Sequence, residues 1–83
     1  MIGLSREVAR ELGLPVSHPH VRQAAWFVAN GGFGLSLEII GRVHGLQRQT
    51  IHEGVQRTAD RCDETRSFER ALMRVADVFE VSL

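Results

Sequence analysis

Apolar residues recur along this chain at three- and four-residue steps, the period of a helix with one buried face. Glycine or proline interrupts the pattern between segments. Ser5 is placed to cap a first helix that ends near Gly13 and turns Leu4, Val8 and Leu12 inward. Residues 14–19 read as a connector, and Pro19 suits the first turn of a second helix over about residues 20–30. Its apolar stripe is Val21, Ala24, Ala25 and Val28, widened by Trp26 and Phe27. Residues 30–34 hold three glycines and read as a flexible break. Ser36 then caps a third helix that carries Leu37, Ile39, Ile40 and Val43 and ends at Gly45. A fourth helix begins near Gln47 or Arg48, with Ile51 and Val55 four apart on one face. Asp63 or Thr65 starts a last helix, a packing element over about residues 64–81. In it Phe68, Leu72, Val75 and Phe79 follow 4-3-4 steps, with Ala71 and Val78 flanking. No stretch alternates as a strand would. The expectation is an all-α fold: one domain over residues 1–83, a compact bundle of four to five helices.

Residues 37–57 carry the most specific pattern, that of a helix-turn-helix. Two helices that cross at a tight turn need a small residue where their backbones approach, and Gly41 supplies it. They also need a residue that tolerates positive φ, which Gly45 provides. Ile40, Leu46 and Ile51 then form an inward wedge, and the second helix turns Gln47, Arg48, Gln49, His52, Glu53 and Gln56 outward. Arginine pairs with guanine, glutamine with adenine, and glutamate accepts from cytosine, so this face suits base reading in a major groove. Ser36, Thr50 and Arg57 complete the expected contact set around it. Two residues depart from the pattern. His44 occupies a normally apolar spot, and Gly54 lies inside the second helix at a cost of roughly 1 kcal/mol. The plainer alternative is a helical hairpin with a solvated polar face.

Charge modulates this picture. All ten basic residues are arginine, which is compatible with DNA binding and also follows from a GC-rich genome. Ten acids balance them, which counts against a strong non-specific nucleic-acid binder. The balance is uneven. Residues 1–35 carry Arg6, Arg10 and Arg22 against Glu7 and Glu11, net +1. Residues 36–62 carry Arg42, Arg48, Arg57 and Arg61 against Glu38, Glu53 and Asp60, again +1. Residues 63–83 carry Arg66, Arg70 and Arg74 against Asp63, Glu64, Glu69, Asp77 and Glu80, net −2. DNA affinity should therefore be modest and steeply salt-dependent.

The remaining chemistry is sparse. His18, His20, His44, His52 and Cys62 show no i, i+4 pair and no second cysteine, so no metal or other cofactor is expected. His18 and His20 are expected to add pH-dependent positive charge near phosphates. Trp26 reads as core rather than as a base-stacking platform. The 68–79 stripe packs the last helix onto the core and could also serve as a dimer or partner face. Ser36 has no base, Cys62 no evident histidine partner, and no glycine-rich phosphate loop exists, so an enzyme is not expected. A lone cysteine, no signal-peptide pattern and no membrane-length apolar run point to a cytoplasmic protein without membrane contact.

The run Arg22-Gln23-Ala24-Ala25-Trp26-Phe27-Val28-Ala29, then Leu35-Ser36-Leu37-Glu38-Ile39-Ile40-Gly41-Arg42, then Gly45 and Thr50-Ile51, resembles the C-terminal DNA-binding domain of the bacterial replication initiator DnaA. That domain typically reads Arg-Gln-x-Ala, then Leu-Ser-Leu-x-Glu-Ile-Gly, then Asp-His-Thr-Thr-Val. The match covers about residues 18–80 and runs without a gap from Arg22 to Gly41. The resemblance implies that Arg22 enters a minor groove and that Thr50 touches the DNA backbone or a base. Gln47 and Arg48 stand where the family carries its Asp-His pair, and residues 17–20 replace its basic loop. The resemblance thus implies a DNA-reading domain used outside origin recognition, as a stand-alone regulator or the N-terminal part of a phage-type or gene-transfer-agent transcription activator. The expected partner is double-stranded DNA, with RNA polymerase or another regulator as a further one, and the expected state is a monomer or weak homodimer. The alternative function is a protein–protein interaction module docking on transcription or replication machinery.

Overall fold

The computed structural model describes residues 2–81. They form a compact all-α bundle of five helices in the order α1 (Ile2–Leu12), α2 (Pro19–Gly31), α3 (Leu37–His44), α4 (Arg48–Glu64) and α5 (Arg66–Val81), with no strand among the described residues. The first helix begins a turn earlier than its sequence suggests, so Ser5 lies within α1 and does not cap it. Leu4 is buried together with Val8, four residues on, and this extends the apolar stripe upstream. Gly13 ends α1 at φ +67°. Leu14 N–H donates to the Ala9 carbonyl at 3.1 Å, satisfying a carbonyl of the last turn.

Helix α2 is the core element. Val21, Ala24, Ala25, Trp26, Val28 and Ala29 are all buried, because the other four helices pack around it. Residues 32–36 are better fastened than a glycine-rich run suggests. Gly32 N–H donates to the Val28 carbonyl at 2.7 Å, Leu35 N–H to Ala29 at 3.1 Å, and Asn30 Nδ2 to the Leu35 carbonyl at 2.8 Å. This segment delivers Ser36 to the start of α3.

Helix α5 lies against α1, α2 and α4, with Ala71, Leu72 and Val75 buried and Phe68 and Phe79 half-buried. Of the two candidate starts, Thr65 is the one used: its carbonyl accepts from the Phe68 and Glu69 N–H groups, each at 3.2 Å. Asp63 belongs to α4, which runs seven residues past Arg57 to Glu64. Arg74 of α5 pairs with Glu11 of α1 at 3.1 Å. Met73 and Val78 remain largely exposed, at 60% and 48%. No helix among the described residues is long and apolar enough to cross a membrane.

Candidate nucleic-acid interface

The joint between α3 and α4 follows from two glycines. Gly45 takes the left-handed conformation at φ +67°. Its N–H reaches the Arg42 carbonyl at 3.4 Å, and the Leu46 N–H reaches the Gly41 carbonyl at 2.8 Å. This paired closure ties off the helix end. Gly41 is needed for a different reason: a Cβ there would stand 2.6 Å from the Leu46 carbonyl oxygen, a backbone atom with nowhere to go. At the other end of α3, the Ser36 hydroxyl accepts from Ile39 N–H at 3.1 Å, so this side chain is engaged as a cap. Ile40 and Ile51 are buried, and Leu46 packs half-buried against the same core.

With that trio inward, the opposite face of α4 is polar. Gln47, Arg48, Gln49, Thr50, His52, Glu53, Gln56 and Arg57 are all exposed. Gln49 meets Glu53, and Gln56 meets Asp60, each at 3.5 Å, the outer limit of a hydrogen bond and easily exchanged for another partner. Gln47, at the N-cap of α4, makes no side-chain cap, so the first N–H groups of α4 have no side-chain acceptor. Among the described residues, no carboxylate lies within ion-pair distance of Arg22, Arg42, Arg48 or Arg57.

Trp26 joins α2 to the buried side of α4 and to the end of α3. Arg22 lies over its ring at 5.7 Å from the centroid, and the His44 ring stands edge-on at 6.0 Å. A Cβ on Gly54 would come within 2.6 Å of two Trp26 ring carbons. The glycine inside α4 is therefore a notch for Trp26, and the cost to helix propensity accompanies close helix packing. Trp26 is itself buried, as core. One ring thus gathers the α2 arginine, the end of α3 and the middle of α4. A cation–π contact at an exposed site is worth about 0.5–1 kcal/mol, enough to orient Arg22 and little enough to surrender to a ligand.

Three of the histidines are engaged within the fold. His20 Nε2 lies 3.0 Å from Arg61 Nη2, so this nitrogen is the acceptor and the ring is neutral there. Desolvation, then Arg61 and His18, hold His20 below its ordinary value. His18 Nδ1 accepts from His20 N–H at 3.1 Å, capping α2. In this arrangement one nitrogen of each ring accepts a hydrogen bond. His44 is likewise held down, by desolvation and then Arg22, and its Nε2 is buried without a partner. Burial pushes the Cys62 thiol up, away from a reactive thiolate, and Glu69 and Asp63 add to the shift. No group of three His, Cys, Asp or Glu among the described residues could hold a metal ion.

The structure therefore leaves Arg22 exposed over Trp26, leaves the α4 positions exposed on the side of that helix opposite its buried residues, and engages Ser36 as a cap. Sequence periodicity missed three features: the Gly54 notch, the His44 packing and the Arg61–His20 contact. A glycine mid-helix opposite a tryptophan-bearing helix is the signal that could have found the first. Compared with protein-family models, curated proteins and solved structures, the chain matches none.

Proposed function

We propose that this chain is a sequence-specific double-stranded DNA binder of the helix-turn-helix kind, acting in transcription regulation. In this reading α4 enters the major groove and Arg22 the adjacent minor groove, as the resemblance to the DnaA C-terminal domain implies. The observation that carries it is the division of α4, which buries Ile51 completely while every one of Gln47, Arg48, Gln49, Thr50, His52, Glu53, Gln56 and Arg57 faces solvent. Such a row of long hydrogen-bonding side chains on a rigid element matches the donor and acceptor pattern of base edges. The role is binding rather than catalysis. Arg22→Ala should weaken binding evenly across sequences, which a titration of several unrelated duplexes would measure; unchanged affinity would remove Arg22 from the interface.

A second reading, a protein-docking module, is favoured by specific exposed apolar groups: Ile39 and Val43 on α3, and Met73 beside an open apolar groove of about 300 Å³ between α2 and α5. Binding of random duplex across a salt series separates the two. Affinity that falls steeply with salt supports DNA binding, and none at any salt supports docking.

A further inference from the structure

The charges along the seam between α2 and α4 do not balance one another. Arg61 of α4 meets His20 of α2, and the His18 ring lies 4.7 Å from the His20 ring. The Arg61 guanidinium also lies over Phe68, 5.6 Å from the ring centroid, and its Nη1 is buried with no acceptor. Among the described residues no carboxylate stands within ion-pair distance of Arg61; the ion pairs join Arg10 to Glu7 and Arg74 to Glu11. Its neighbour Asp60 is exposed and engaged with Gln56. A half-buried guanidinium ordinarily has acceptors for its fork, since desolvated charge and unmade hydrogen bonds are both costly. This constellation is short of acceptors, and the partner that fits is an anion with several oxygens.

The start of α2 does not supply the site by itself. Pro19 has no N–H, His20 N–H is taken by His18 Nδ1, and the Val21 and Arg22 N–H groups go to the His18 carbonyl. The cationic side chains carry it. The two helices run antiparallel, with Trp26 and Gln23 against Gly54 and His20 against Arg61. Arg22 and Arg57, both exposed, fall between those contacts. Arg57 and Arg61 are one helical turn apart. Basic groups thus continue from the arginine assigned to the minor groove toward the start of α2.

We infer that the His20–Arg61 seam anchors a backbone phosphate of the bound duplex, an inference that rests on the DNA-binding reading above. Arg61 donates N–H to a phosphate oxygen. His20 Nε2, which accepts from Arg61 in the free chain, gives up that hydrogen bond as the guanidinium turns to the phosphate, takes up a proton from solvent and becomes a second donor once the phosphate charge stands beside it. The groups facing His20 are His18 on its own segment and Arg61 from α4, while α5 presents Phe68 to the same guanidinium. None of these is acidic, so the phosphate supplies the counter-charge.

The test is a fluorescence anisotropy titration of a short random-sequence duplex with the parent chain, Arg61→Gln, Arg61→Lys and His20→Gln. It is run across a salt series, below and above the ordinary histidine value of 6.5. Arg61→Gln should weaken binding about tenfold on every sequence and make the salt slope shallower by about one unit, with Arg61→Lys retaining most of it. Parent binding should tighten as pH falls, and His20→Gln should lose that dependence. If Arg61→Gln melts normally yet keeps the parent's slope, or if His20→Gln keeps its pH dependence, the anchor is wrong while the DNA reading stands. A parent that binds no duplex at any salt removes both. Should Arg61→Gln fail to fold, His20→Gln carries the test alone. Inorganic phosphate at matched ionic strength probes the same donors: it should displace duplex from the parent more readily than from Arg61→Gln, and equal displacement from both would place the phosphate contact elsewhere.

Discussion

The two faces of α4 are made of opposite kinds of side chain. Toward α2 the helix turns Ile51, Gly54, Thr58 and Cys62, all buried, and even its one polar member is internally satisfied, with the Thr58 hydroxyl donating to the Gly54 carbonyl at 3.0 Å. To solvent it turns arginine, glutamine, histidine and glutamate, with two marginal contacts along the helix and no ion pair among the described residues. The inner face has a shape to keep and the outer face has hydrogen bonds to offer. Stability and recognition can therefore be separated on a single helix, by substitutions only one or three residues apart.

The sharpest break comes from the inner face. Ile51→Ala should cost about 2–5 kcal/mol in chemical denaturation, because its side chain is completely buried and the five-helix core closes poorly around a cavity. A loss well under that range would mean that Ile51 is not a keystone of the α3–α4 wedge. Next come the glycines. Gly41→Ala and Gly54→Ala should each destabilise by about 1–3 kcal/mol, the usual cost of overpacking, with Gly41 the worse because its obstacle is backbone. Helix propensity alone favours alanine at position 54 by roughly 1 kcal/mol, so a stabilised Gly54→Ala would refute the Trp26 notch. Trp26 is the sole tryptophan, and its emission should shift in Gly54→Ala and stay constant in outer-face variants.

The outer face should behave in the opposite way. Arg48→Ala should change stability by less than about 0.5 kcal/mol. It should nonetheless remove about 1–3 kcal/mol of discrimination at one base pair, measured by competition between duplexes. The smallest effect expected is on pH dependence. His20 and His44 both lie below their ordinary 6.5 in the folded chain, so the unfolded chain binds more protons around and below that value. Stability should hold above pH 6.5 and decline as pH falls through it. Melting temperatures across that range check the sign; His20→Gln and His44→Gln should each flatten part of the slope.

Much of this architecture was legible in the residues, and the limit of legibility is physical. Ser36 and Gly45 bound α3 because capping and positive φ are local requirements that a few neighbours decide. Ile40 and Ile51 were readable as inward because helical periodicity is also local. Gly54 was readable only as a defect, since its reason is Trp26, twenty-eight residues earlier and on another helix. The His20–Arg61 contact spans forty-one residues, so no local pattern announces it. Ser5 misled because a good capping residue also tolerates a helix interior when buried leucine and valine extend the stripe past it. The outer face of α4 could be listed from sequence, while the placing of Arg22 over Trp26 could not.

The most direct test is to select bound duplexes from a random DNA pool with the parent chain and with Arg48→Ala in parallel. The account predicts one enriched site for the parent, and for the variant the same site relaxed at a single base pair. A pool that enriches no sequence, or identical enrichment by both proteins, would contradict it.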